Sequence, residues 1–162
     1  MKLIQIGKIV NTHGIKGELR LLSKFPYKNK VFIKNMKIYI NKENEETINT
    51  YRRHKNFDMI TLDGYSNIND VLKYKGKYVY VNKDDIKLDN NNYLDEEIIG
   101  LEVIYEEEIK GIVKDIERYE KTNILVIKSN EKEYLIPYNY NIIEKIDINT
   151  KKIYIKNIKG LF

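Results

Sequence analysis

Six consecutive residues, Thr12-His13-Gly14-Ile15-Lys16-Gly17, gather most of the reactive chemistry in this chain: one imidazole, one ammonium and two glycines. An imidazole can hydrogen-bond a phosphate or a base, and a lysine neutralises phosphate charge. Gly14 and Gly17 can take the φ > 0 geometry of a tight connection, so by backbone alone the stretch is a turn. His13 has a second option, which is to lock that turn by bonding its own backbone. Further cations stand at Lys8, Arg20, Arg52, Arg53 and Lys55. If Arg52 and Arg53 share a strand they point to opposite faces, so at most one of them addresses a given polyanion. Covalent chemistry is poorly served. The chain has no cysteine and two histidines, which removes disulfides, thiolate metal sites and a cysteine nucleophile together. No compact carboxylate pair or metal-ligand spacing offers acid-base work either. The expectation is a binding protein, not an enzyme, with no cofactor and no metal.

The elements around the loop narrow its identity. Gly14-Ile15-Lys16-Gly17 spells the GXXG of a KH module, but there the loop joins two helices and here it joins two strand-like runs. A phosphate-cradling Walker loop needs further spaced residues and a following helix, and both are missing. Short β-branched and tyrosine-rich runs recur along the first half: Leu3 to Val10, Glu18 to Leu22, Lys37 to Ile40, Glu46 to Arg53, Asp58 to Leu62 and Lys77 to Val81. Several alternate apolar with polar, as Thr47-Ile48-Asn49-Thr50-Tyr51 does, which is the period of a half-buried strand. Ser66 to Tyr74 breaks the rhythm. Its cap-type start, Ile68, Val71 and Leu72 on one face, and Gly76 beyond predict a short helix. Asp84 to Glu97 is polar and poor in apolar residues, and 89–97 is read as a linker. Strand-like runs resume at Ile98 to Tyr105, Ile109 to Ile116, Asn123 to Lys128, Glu133 to Pro137, Ile142 to Asp147 and Lys152 to Ile155. Sheets of short strands manage their edges by closing or pairing. The predicted fold is therefore all-β, two small barrels in tandem over 1–88 and 98–162.

Charge divides with the domains. Residues 1–88 hold 18 Lys and Arg against 9 Asp and Glu, whereas 89–162 hold 11 against 15. A basic front half suggests a polyanion partner. The Lys-, Asn-, Ile- and Tyr-rich composition of the whole chain contributes part of that excess. The N-terminal MKLIQIGKIV alternates like a strand and lacks the apolar core of a signal peptide. No run approaches the roughly 18 apolar residues of a membrane span. A soluble cytoplasmic protein without membrane contact is expected.

Ordered motifs then point to a family. Ile6-Gly7-Lys8-Ile9-Val10-Asn11-Thr12-His13-Gly14-Ile15-Lys16-Gly17-Glu18-Leu19-Arg20 resembles the opening strand and loop of the RimM family of ribosome maturation factors. Arg53-His54-Lys55, Met59-Ile60-Thr61-Leu62 and Gly64 resemble its second block, and the segment ending Lys75-Gly76 stands where that family has a helix. Ile98-Ile99-Gly100-Leu101-Glu102-Val103, Gly111-Ile112-Val113, Leu135-Ile136-Pro137, Ile146-Asp147 and Gly160-Leu161 resemble successive landmarks of a PRC barrel. The resemblance implies a six-stranded barrel akin to those of translation factors, then a PRC barrel. It implies a non-catalytic role in late 30S assembly and 16S rRNA processing, with the 30S precursor, 16S rRNA and the nineteenth protein of the small subunit, a head protein, as partners, and a monomer as the working state. Many relatives carry adjacent tyrosines ahead of the Ile-Gly block. This chain has Tyr93-Leu94 there, so only Tyr93 inherits that 30S-binding role.

On this reading the residues expected to touch RNA or ribosome are His13, Lys16, Arg20, Arg53, Lys55 and Tyr93, with Gly14 and Gly17 setting the loop. Tyr93, placed in a linker with little core to bury it, is expected to be an exposed anchor. Tyr78, Tyr80, Tyr134, Tyr138 and Tyr154 are read as barrel packing with wet hydroxyls. Glu106-Glu107-Glu108 is read as a solvated hairpin turn. An acidic PRC barrel suits a basic ribosomal protein, because complementary charge speeds encounter and rejects wrong partners. The alternative is a PRC-type adaptor that binds only protein, its basic front half incidental.

Overall fold

The computed structural model describes residues 1–162, which separate into two compact units, Met1–Leu88 and Asp89–Phe162. In the first, six strands, β1 (Leu3–His13), β2 (Glu18–Leu22), β3 (Lys37–Ile40), β4 (Asn44–His54), β5 (Phe57–Leu62) and β6 (Tyr78–Asn82), close into a barrel in the order β1-β2-β5-β4-β3-β6. Every pairing is antiparallel. Period-two patterning puts Leu19 and Leu21, Ile38 and Ile40, Ile60 and Leu62, Val79 and Val81 into the core. β1 pairs with both β2 and β6, and a bulge on each side breaks its register. Such bulges raise the local twist that a small barrel needs to close. They also let Ile6 and Ile9, three residues apart, both be buried. Gly7 sits at a close approach of β1 to β2. A Cβ there would meet the Leu22 carbonyl oxygen at 2.9 Å.

The segment from Ser66 to Tyr74 differs from the predicted helix. It forms two 3-10 turns, Ile68–Asp70 and Leu72–Tyr74, the first capped by the Asn67 side chain, which accepts from the Asn69 amide at 2.8 Å. The burial explains the geometry, because Val71 and Tyr74 are buried and Ile68 is half-buried, a spacing of three. That is the 3-10 period, and Leu72, which an α-helix would have turned inward, is 48% exposed.

The second unit contains β7 (Glu102–Tyr105), β8 (Glu108–Arg118), β9 (Asn123–Lys128), β10 (Glu133–Pro137), β11 (Ile143–Asp147) and β12 (Lys152–Ile155), ordered β10-β9-β8-β7-β12-β11 in one six-stranded sheet. The final strand lies inside the sheet, parallel to β7 and antiparallel to β11. One core joins Val103, Tyr105, Val113, Leu125, Ile127, Ile136, Ile153 and Ile155, and Phe162 packs against the Tyr105 and Tyr134 rings at 4.8 and 5.0 Å. Glu106 and Glu107 are exposed with φ of 50 and 66°, a two-residue hairpin turn of the kind whose twist suits the flanking strands.

Three expectations fail between 89 and 101. The segment 89–97 is more than a connection, since it ends in the chain's one α-helix, α1 (Asp95–Ile98), with Leu94 and Ile98 buried in the second unit. Strand β7 accordingly starts at Glu102, not Ile98. Composition hid the helix: its first three residues are Asp95, Glu96 and Glu97, acids that suit the positive N-terminal end of a helix but read as linker. Tyr93 is likewise half-buried and packed on the second core, not an exposed anchor.

Candidate nucleic-acid interface

Strand β1 runs to His13, so the connecting loop shortens to Gly14-Ile15-Lys16-Gly17. Gly14 and Gly17 take φ of 69 and 96°, the left-handed region that favours glycine. The Ile15 carbonyl accepts from the Ile68 amide at 2.9 Å, which docks the loop on the 3-10 segment. Docking leaves the tip in solvent. Ile15 is 78% exposed and Lys16 beside it is exposed too.

Register decides what meets His13. Asn11 lies opposite Arg20 and His13 opposite Glu18 across β1 and β2, while Met59 of β5 lies between Arg20 and Arg52 of β4. Side chains two apart share a face. Asn11, His13, Glu18, Arg20, Arg52, His54, Phe57 and Met59 therefore occupy the outer surface of β1-β2-β5-β4, while Leu19, Leu21 and Ile60 point to the core. Met59, fully buried, is the apolar floor under the charged groups.

The polar groups on that face engage one another. Arg20 donates through Nη2 to His13 Nδ1 at 2.8 Å, and its guanidinium carbon lies 4.9 Å from the Phe57 ring centre. A guanidinium only donates, so Nδ1 must accept and carries no proton in this arrangement. Arg20 Nε is buried and has no hydrogen-bond partner in the protein. Arg52 donates to both oxygens of Glu18 at 2.8 Å, a bidentate pair. That hydrogen bond lowers the Glu18 pKa against the opposing effect of burial, with the positive charge of Arg52 adding to it. The His13 and His54 rings stand 5.6 Å apart. Desolvation first, then Arg52, Lys55, His13 and Arg20, push the His54 pKa below its ordinary value. Lys55 turns the β4–β5 hairpin with φ of 54° and is exposed at its tip.

Arg53 goes elsewhere. It faces the opposite side of β4, where Asp58 is fully buried and its Oδ1 accepts from Arg53 Nη1 at 3.0 Å and from the Tyr51 hydroxyl at 2.6 Å, while Lys28 Nζ forms an ion pair with Oδ2 at 2.9 Å without a well-aligned hydrogen bond. Burial and the Asp58 carboxylate raise the Tyr51 pKa to about 12. Tyr51 in turn stacks on Phe32, ring centres 5.5 Å apart. Of the residues singled out from sequence, His13, Arg20 and Arg52 thus converge, Lys16 and Lys55 flank them, and Arg53 is held by a buried carboxylate. Lys8 lies over the Tyr78 ring at 5.3 Å, and Tyr93 belongs to the other unit. Sequence reasoning passed over His54, Glu18 and Phe57 as site residues. The two-residue turn Lys55-Asn56 was the available signal, because it fixes the β4–β5 register and puts 54 on the face of 52.

The face presents three permanent cations, Arg20, Arg52 and Lys55, against one carboxylate, Glu18. Comparisons with known proteins agree in extent with the two units. The model of the RimM N-terminal domain matches residues 4–86, and that of the RimM PRC barrel domain matches 95–161. A Staphylococcus haemolyticus protein named ribosome maturation factor RimM is 38% identical over 164 residues, covering 98% of each chain. An Exiguobacterium protein of the same name is 36% identical over 167 residues, covering 99% of this chain and 97% of that one. The solution structure of the N-terminal domain of RimM from Thermus thermophilus aligns with 54% of this chain and 98% of that one, at 20% identity and a TM-score of 0.48.

Proposed function

This chain belongs to the RimM family of ribosome maturation factors, and from that membership we propose that it works without catalysis on the head of the 30S precursor, assisting late small-subunit assembly and 16S rRNA processing in the cytoplasm. The observation that carries the RNA part is the cationic outer face of β1-β2-β5-β4. His13, Lys16, Arg20 and Lys55 form its RNA-contacting set, joined by Arg52, while Gly14 and Gly17 shape the loop that carries Lys16. Arg53, committed to Asp58, supports the set from behind. Lys and Arg contacts to phosphate give affinity without sequence reading, which suits a factor that must let go when assembly is complete. The second unit has the opposite sign, 11 Lys and Arg against 15 Asp and Glu. Opposite charge suits a basic ribosomal protein, the nineteenth of the small subunit, with Tyr93 as the 30S contact. The chain acts as a monomer in this scheme.

Gel shift of a 16S head-domain RNA over a salt series tests it. Wild-type protein is expected to bind at low salt and weaken steeply as salt rises. Lys16→Ala with Arg20→Ala is expected to lose most of that binding and to recover fewer 30S precursors from cell extract. Unchanged RNA binding in the variant, with precursors still captured, overturns the RNA contact and favours the protein-only adaptor. That alternative draws on Arg52 and Arg53 each being already paired with a carboxylate.

A further inference from the structure

The Arg20–His13 pair is arranged as a contact waiting to be exchanged. Arg20 spends one donor on a single imidazole nitrogen and leaves Nε without a partner, although a guanidinium can give a phosphate two parallel hydrogen bonds at once. The groups facing His13 are Glu18 and Arg20 from β2, Arg52 and His54 from β4, and Lys55 from the hairpin turn. Phe57 and Met59 of β5 add no charge, and Asp58 points to the other side. Lys16 follows in the loop. Glu18 is already held by Arg52, so the two imidazoles sit among cations with little left to balance a further positive charge. We propose that His13, Arg20, His54 and Arg52 form one seat for an RNA backbone phosphate, filled by exchange: Arg20 leaves His13 for the phosphate and the vacated Nδ1 takes up a proton.

This rests on the RNA reading given above and specifies its chemistry. The proton comes from solvent and adds to the Nδ1 lone pair, and both His13 nitrogens then donate. Linkage fixes the sign. A phosphate stabilises the protonated imidazoles, so the complex binds more protons than the free chain, and RNA affinity rises as pH falls. Each proton fully taken up changes affinity by at most about tenfold per pH unit.

The chain has two histidines in all, which makes the test clean. Affinity of the full chain for a labelled 16S head-domain hairpin is measured at pH 6, 7 and 8 at fixed ionic strength. Wild-type binding is expected to weaken by about fivefold or more from pH 6 to pH 8. The chain with His13→Gln and His54→Gln is expected to change by less than about twofold, since the amino terminus and the RNA titrate equally in both. In the unaltered protein, the two imidazole proton signals followed by NMR are expected to show titration midpoints that move upward when RNA saturates the chain. Equal affinity at pH 6 and 8 with midpoints unmoved by RNA overturns the exchange and leaves RNA binding standing. Absence of RNA binding at every pH and low salt overturns both.

Discussion

Arg52 and Arg53 are neighbours in one strand and have opposite tasks. Arg52 lies on the outer face, where Glu18 holds it in a bidentate pair among Arg20, His13 and His54. Arg53 lies on the inner side, where it answers a carboxylate with no access to water. An exposed pair contributes little to stability and can be exchanged for another anion, whereas a buried charge left without its partner is costly. Identical side chains one residue apart thus divide into a binding group and a structural group: strand alternation sends them to opposite faces, and the carboxylate each face supplies decides the role.

The comparison can be broken first on the inner side. Arg53→Ala is expected to lower the stability of the first unit by about 3 kcal/mol, because it strips a fully buried carboxylate of one of its partners. Urea unfolding followed by amide signals of β4 and β5 measures this, and RNA affinity of the folded variant should stay within about twofold, as surface-neutral changes do. A loss below about 0.5 kcal/mol would make Arg53 an ordinary surface cation. On the outer side, Arg20→Ala is expected to weaken RNA binding by about tenfold, equivalent to one charge-assisted contact, with urea midpoints nearly unchanged. Glu18→Gln sharpens the contrast in the opposite direction. It releases Arg52, whose own pKa is raised chiefly by the Glu18 hydrogen bond, and removes the face's one negative charge, so affinity should rise about threefold by anisotropy titration at low salt. Unchanged affinity would show that Arg52 does not reach RNA. Lys16→Ala should reduce the slope of log affinity against log salt by about 0.7 to 0.9, the signature of one lost phosphate contact.

The smallest effect is on stability against acid. His54 has a folded pKa below its ordinary 6.5, so its contribution is present above about pH 6.5 and is lost as pH falls through the lowered value. Glu18, lowered from 4.5, contributes above that pH and loses its contribution below it. A thermal-melting series of the first unit should therefore decline shallowly below about pH 6.5 and more steeply below about 4.5. His54→Gln should remove only the first decline.

Much of this was legible from residue order. All twelve strands overlap runs of alternating or β-branched residues, although β7 begins four residues later than its run and β1 continues to His13, and period two puts Arg52 and Arg53 on opposite faces. What escaped was set by tertiary partners. Nothing local says that Asp58, rather than Glu18, is the carboxylate that goes inside, because the choice depends on Asp58 pairing with Leu21 on the neighbouring strand β2. The 3-10 turns at 68–74 escaped because start and stop signals mark a helical segment without giving its pitch. Helix α1 escaped for a different reason: two apolar residues, Leu94 and Ile98, among acids carry too weak a period to rise above linker composition. Tyr93 was misplaced as exposed through the same misreading of its surroundings.

The position of β12 bears on the order in which the molecule can be made. A chain emerging from its N-terminus has every strand of the first barrel once Asn82 is free, since β6 closes against β1. The rear unit must wait. Until Lys152–Ile155 arrives, β7 has a raw edge and β11 has no neighbour to hold it, and unpaired edges are where nascent chains stick to one another. Loss of the chain from Lys152 onward would thus leave β10-β9-β8-β7 with an open edge and β11 unpaired, and a truncated product should carry a sound front barrel and a precipitating tail.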